Sequence, residues 1–169
     1  NNSTPELSDL IISSNTSSQV GGGIMIDGNY STFQNVTVNL NTSSNGGGGI
    51  YLQSIQNYTL TGIQVLNNTS GSNGGGISLF GDNVTIESVV VSGNSAFING
   101  GGIVAVNSIL TIKNSTISSN TSSGSGGGIY SKTSNLLIIN TNFLNNTAIN
   151  PSGYSTGGGL YSFNSAIII

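Results

Sequence analysis

The chain has no cysteine, no histidine and no arginine, and its whole charge rests on five acids and two lysines. Without cysteine there is neither a disulfide framework nor a thiolate metal site, and without histidine the commonest transition-metal ligand is missing. Glu6, Asp9, Asp27, Asp82 and Glu87 set against Lys113 and Lys132 give a formal charge of −3, and charged side chains make up 4% of the chain. Soluble globular domains ordinarily carry about a quarter. Two cations make no basic patch, which excludes a nucleic-acid partner. Apolar stretches such as Ala166-Ile167-Ile168-Ile169 are far too short to span a bilayer. Asparagine, serine and threonine supply the polarity instead. A first residue Asn1 and a closing apolar run suggest a processed product or part of a longer protein, any targeting segment being absent from it. The expected location is extracellular or at a cell surface.

Against these absences stands an excess of glycine, 26 residues, ordered in a repeat. Three glycines followed by Ile or Leu occur six times, closing at Ile24, Ile50, Ile77, Ile103, Ile129 and Leu160, with spacings of 26, 27, 26, 26 and 31 residues. A fixed period of this length marks a stacked repeat in which each unit contacts mainly its neighbours. The regular apolar spacing and a 35% hydrophobic content argue against disorder despite the polar bias.

Counting from each closing Ile or Leu as position 0, apolar residues recur at +2, +7, +9, +12 and +14. The third repeat shows Leu79, Val84, Ile86, Val89 and Val91, and the fourth shows Ala105, Leu110, Ile112, Ser115 and Ile117. The second repeat matches after one extra residue near Gln56-Asn57, which accounts for its spacing of 27. Residues two apart share one face of a strand. Each coil therefore contains three short strands, near 0/+2, +7/+9 and +12/+14. A helix is excluded because no 3.6-residue period exists and glycine and β-branched residues dominate. The construction that satisfies this pattern is an all-β, right-handed parallel β-helix. It forms a single solenoid over residues 1–169 with coils of about 26 residues and partial coils at both ends. The hand follows from the general preference of parallel crossovers.

Glycine serves a turn and close packing here, since it adopts positive φ freely and has no Cβ to meet the next coil. A phosphate-cradling loop is excluded by the missing Gly-Lys-Ser/Thr and by the sixfold redundancy. Position +17 is Asn in every coil: Asn15, Asn41, Asn68, Asn94, Asn120 and Asn146. Position +18 is Thr16, Thr42, Thr69, Thr121 and Thr147, with Ser95 in the remaining coil. Stacked asparagines can hydrogen-bond along a column, so these six are read as a structural asparagine ladder.

The Gly-Gly-Gly-Ile runs, with Val38-Asn39-Leu40-Asn41, Ile117-Ser118-Ser119-Asn120 and Phe143-Leu144-Asn145-Asn146, resemble the repeats of bacterial polymorphic outer membrane proteins. That family carries Gly-Gly-Ala-Ile/Leu and Phe-x-x-Asn motifs, and similar repeats occur in large extracellular proteins of some eukaryotes. Glycine here replaces the family's alanine, and Ile or Val mostly replaces its phenylalanine. The resemblance implies a surface-exposed right-handed β-helix engaged in adhesion or surface coating.

Asn-x-Ser/Thr sequons are dense, at Asn2, Asn15, Asn29, Asn35, Asn41, Asn57, Asn67, Asn68, Asn83, Asn114, Asn120 and Asn145. An Asn/Ser/Thr-rich chain also generates them by composition alone. A ladder amide turned inward cannot carry a sugar, so the candidate acceptors are Asn29, Asn35, Asn57, Asn67, Asn83, Asn114 and Asn145.

Polysaccharide lyases and hydrolases occur among β-helices, but register separates the carboxylates such chemistry requires. Asp27 falls at +3 and Asp82 at +5 two coils later, while Glu87 aligns with Lys113 at +10 as a surface ion pair. A calcium-binding solenoid would need an Asp after the glycines in every copy. The sequence therefore points away from an enzyme and calls for no cofactor or metal. An ice-binding face would use Thr32, Thr59, Thr85 and Thr111 at +8, but its companion column, Gln34, Thr61, Glu87 and Lys113, is irregular.

No capping helix is legible at either end, so Leu7, Leu10 and Ile12 at one end and Ile167 and Ile169 at the other are candidates for end stacking, head to tail, between identical chains. The expected function is a structural solenoid that forms or coats a surface fibre. The alternative is a monomeric adhesin stalk that binds a receptor or glycan. Tyr51, Tyr130 and Tyr161 at +1 form either a stacking or carbohydrate-binding stripe or ordinary sheet-surface aromatics.

Overall fold

Strand pairs such as Val84/Ile86 and Leu110/Ile112 favour extended chain with one apolar face, and left-handed residues, most of them five or seven positions apart, bend that chain into a coil. A computed structural model describes residues 6–28, 32–150 and 157–169 of this coil. All its sheets are parallel, and each strand pairs with its copy one coil away.

The first sheet stacks Ile24–Asp27, Ile50–Gln53, Ile77–Phe80, Ile103–Val106, Ile129–Lys132 and Leu160–Phe163. The second stacks Tyr58–Thr61, Asn83–Glu87, Ile109–Lys113, Asn135–Ile139 and Ala166–Ile168. The third holds Gln64–Leu66, Val90–Ser92, Thr116–Ser118 and Asn142–Leu144. It also takes the eight-residue strands Glu6–Ser13 and Thr32–Asn39, which run through a corner without a break. Beyond the three strand positions expected, a fourth sheet of two-residue strands follows the ladder asparagine, from Thr16–Ser17 to Thr147–Ala148.

The register is that of the repeat. Ile24, Ile50, Ile77, Ile103, Ile129 and Leu160 are successive partners in one file. Val84 lies between Tyr58 and Leu110, which places the extra residue of the second repeat at Gln56. The longer spacing before Leu160 falls largely on residues 151–156, outside the described chain. Inward side chains from all coils make one continuous aliphatic core, with Ile50, Ile77, Ile103, Ile86 and Ile112 fully buried. Each such side chain contributes on the order of 1.5–3 kcal/mol of transfer free energy.

Candidate functional site

The corners carry the polar chemistry. Left-handed residues recur in files: Gly28, Ser54, Gly81, Asn107, Thr133 and Asn164 at one corner, and Asp9, Asn35, Gly62, Ser88, Asn114 and Asn140 at the next. A third file runs Ser14, Leu40, Asn67, Gly93, Ser119 and Asn145. Among the described residues, the one after each left-handed position in these files turns inward. At the third corner that residue is the +17 asparagine.

Asn15, Asn41, Asn68, Asn94, Asn120 and Asn146 are linked in one column, each Nδ2 donating to the next Oδ1 at 2.9–3.1 Å. The same Oδ1 accepts the backbone N–H of the preceding asparagine at 2.9–3.0 Å. From Asn41 onward, the second Nδ2 hydrogen goes to a core-strand carbonyl one coil back, as from Asn94 to Val65 at 2.9 Å. The column satisfies backbone donors and acceptors that bending the chain would leave unpaired.

The glycine runs fit around this column. In Gly74-Gly75-Gly76 the first residue has φ +63°, a side chain on the second would overlap the carbonyls of Ser95 and Gly101, and one on the third would lie 2.6 Å from Gly102 O and 3.1 Å from Asn94 Cγ. Glycine and asparagine files thus form one structural unit.

A second polar file, which the sequence reading did not identify, occupies the first corner. Asp82, Ser108, Ser134 and Ser165 accept the backbone N–H of Ile55, Asp82, Ser108 and Ser134 at 2.8, 3.2, 3.0 and 3.0 Å. The Asp82 carboxylate is buried and also accepts the N–H of Phe80 at 2.8 Å. Burial raises its pKa, and the two amide bonds hold it back. A Ser in this position after a left-handed residue is the signal that repeat alignment offers for this file.

Among the sequons, Asn35, Asn57, Asn67, Asn114 and Asn145 are exposed left-handed corner residues. Asn83 is half-buried at a strand start and donates its Nδ2 to Asn57 Oδ1 at 2.9 Å. Asn35 donates to Asp9 at 2.7 Å. Asn29 lies outside the described residues. In the sequon asparagines Asn41, Asn68 and Asn120 both Nδ2 hydrogens are engaged in the interior, so no glycan fits there.

At the ends, Leu7 and Leu10 are partly exposed and Ile12 is half-buried, facing Phe33, Val36 and Val38 of the next coil. Ile167 packs against the core, whereas Ile169 is 91% exposed. On the outward face of the first sheet, Tyr51 stacks on Phe80 at 5.7 Å and Tyr130 on Tyr161 at 5.4 Å. Ser78 and Val104 occupy the register between, so the tyrosines form two separate stacks rather than one stripe. Glu87 and Lys113 are register partners, and Thr59, Thr85 and Thr111 form a file that ends at Leu137. Among the described residues no three metal-ligating acids come together. No helix there is long and apolar enough to cross a membrane.

Stacked coils, four parallel sheets and internal polar files define a β-solenoid. The model of the right-handed β-helix region matches residues 1–169, and the chain belongs to that family. Neither curated proteins nor solved structures gave a match. The fold hosts polysaccharide-active enzymes as well as structural proteins, so function must be argued from the surfaces.

Proposed function

We propose that the chain is an extracellular structural solenoid that forms or coats a surface fibre by stacking its ends head to tail. The polarity of the asparagine column carries this reading. Every coil offers Oδ1 toward the preceding coil and N–H donors toward the following one. Each coil interface repeats this same set of bonds, so the two opposite faces of a coil are complementary. The two end faces are therefore complementary, with Leu10 and Ile12 on one and Phe143 and Ile167 on the other as apolar partners. A contact of this kind does not close and generates an open fibre. A surface of amides and hydroxyls with few charges suits a coat, and exposed Asn35, Asn57, Asn67, Asn114 and Asn145 give glycans room.

Sedimentation velocity and electron microscopy of the purified chain test the assembly. Filaments one solenoid wide, lengthening with concentration, are expected. A monodisperse short rod at all concentrations overturns stacking and favours the second reading, a monomeric cell-surface adhesin stalk, for which the paired aromatic stacks speak. Intact mass before and after deglycosylation of secreted material tests glycan attachment, and an unmodified mass refutes it.

A further inference from the structure

The side of the solenoid between the ladder corner and the glycine turns holds side chains that coil stacking does not require. Phe97 is 71% exposed, Ile98 43% and Ile149 59%, all just past two-residue strands of the fourth sheet. Register sets them among very small residues. Ser95-Ala96 pairs with Thr69-Ser70 on one side and Thr121-Ser122 on the other, and Ser122 pairs with Ala148. Backbone bonds carry that register onward, from Phe97 N to Ser70 O at 3.0 Å, Ser123 N to Ala96 O at 3.1 Å and Ile149 N to Ser122 O at 2.8 Å. One file therefore runs Gly71, Phe97, Ser123, Ile149, and the file beside it holds Ser72, Ile98 and Gly124. Knobs alternate with gaps. The gap at Gly124 is fixed, because a Cβ there would overlap the Ile98 carbonyl.

We propose that a second copy of this chain docks on this side, antiparallel, about a two-fold axis between the Phe97 and Ser123 coils. Such an axis, parallel to the strands, sets Phe97 on Ser123 of the other copy, Ile98 on Gly124 and Ile149 on Gly71, each contact made twice. A parallel two-fold would instead oppose Phe97 to Phe97 and leave gaps facing gaps. Charge also suits a like partner. No acid or base falls between the ladder asparagine and the glycine run in any coil, so two chains of net charge −3 meet here without opposing like charges. Sugars leave the surface clear as well: Asn45, Asn73 and Asn99 are each followed by two glycines and Asn150 by Pro151, so none lies in a sequon. Six coils of about 4.8 Å and a width of about 15 Å give about 430 Å² per copy, roughly half the 800 Å² of a standard complex, so the pair is weak, with Kd on the order of 0.1–1 mM. The surface is lateral, so the contact does not depend on whether the ends stack.

The chain has no cysteine, so a single introduced thiol reports its position without background. Ser123 and Ser44 are both exposed in the same file. Under the proposed axis the two Ser123 residues of a pair are offset by one coil, about 5 Å, and the two Ser44 residues by five coils, about 24 Å. Full chains carrying Ser123→Cys or Ser44→Cys are treated with a short bismaleimide at about 0.5 mM protein and resolved by denaturing gel and intact mass. A covalent dimer is expected from Ser123→Cys at about tenfold or more the yield from Ser44→Cys. Phe97→Ser in the Ser123→Cys chain should cut that yield by about tenfold or more. Its melting temperature should stay at the parent's, since the altered side chain is exposed. In head-to-tail stacks the Ser123 residues of successive copies stand several coils apart, so the linker reads the lateral contact alone. No dimer from Ser123→Cys, equal yields from both positions, or a yield unmoved by Phe97→Ser would each overturn the proposal.

Discussion

A single ladder side chain such as Asn94 makes four hydrogen bonds, accepting from Asn68 N and Nδ2 and donating to Val65 O and Asn120 Oδ1. Asn94→Ala leaves the backbone N–H and one Nδ2 hydrogen of Asn68 buried without partners and takes one of the donors from Val65 O, at about 1–3 kcal/mol for each unpaired group. The expected loss is about 3 kcal/mol or more, read as a lowered urea midpoint with unchanged slope. Asn15→Ala, at an exposed end, should cost less than about 1 kcal/mol by the same measurement. Tyr58 reports on the interior differently. Burial pushes its phenol up to about 12 from 10.0. A folded pKa above the unfolded one contributes stability that is whole below the unfolded value and disappears as pH rises through the folded value. Unfolding should therefore set in between pH 10 and about 12, and Tyr58→Phe should shift it upward, followed by absorbance and circular dichroism on the same samples.

At the level of elements, the glycines have different roles. Gly81 has φ +75° with open space around its missing Cβ, so Gly81→Ala should cost only the left-handed penalty of about 1–2 kcal/mol. A Cβ on Gly101 would sit 2.5 Å from Gly127 O in the adjacent coil, so Gly101→Ala separates two coils and should abolish cooperative unfolding in a thermal melt. This contrast bears on what the sequence made legible. Strands were readable because inward Ile, Val and Leu alternate and the repeat aligns them. Corners were not, because the left-handed files accept Asp, Asn, Ser, Thr, Gly and even Leu40 once hydrogen bonds to neighbouring coils hold the bend. The two-residue Thr-Ser strands are too short for any alternation to show. The ladder asparagines were readable as a column, but their tie to the third glycine of each run needed coordinates.

For the molecule as a whole, a stack in which each coil meets only its neighbours has a stability that is a sum of coil and interface terms. Residues 94–119 make one full coil, since Asn94 and Asn120 are ladder neighbours 26 residues apart. A second copy of this segment inserted after Ser119 joins at a left-handed corner and meets the ladder in register. Such a chain should fold, and its urea slope should rise by about 15%, in proportion to length. Its melting temperature should equal or exceed the parent's, because one more interface is gained. One residue inserted after Val91, inside a strand, should behave oppositely. It sends the following side chains to the wrong face and breaks the core file of Val65, Val91 and Ile117. One residue inserted at the first corner, after Ser108, should be tolerated at a cost below about 2 kcal/mol, because the chain already accommodates Gln56 at that place. Circular dichroism melts of the three variants decide the matter: a 26-residue insertion that melts below the parent, or a strand insertion that does not, is incompatible with a solenoid held by like positions stacked on like.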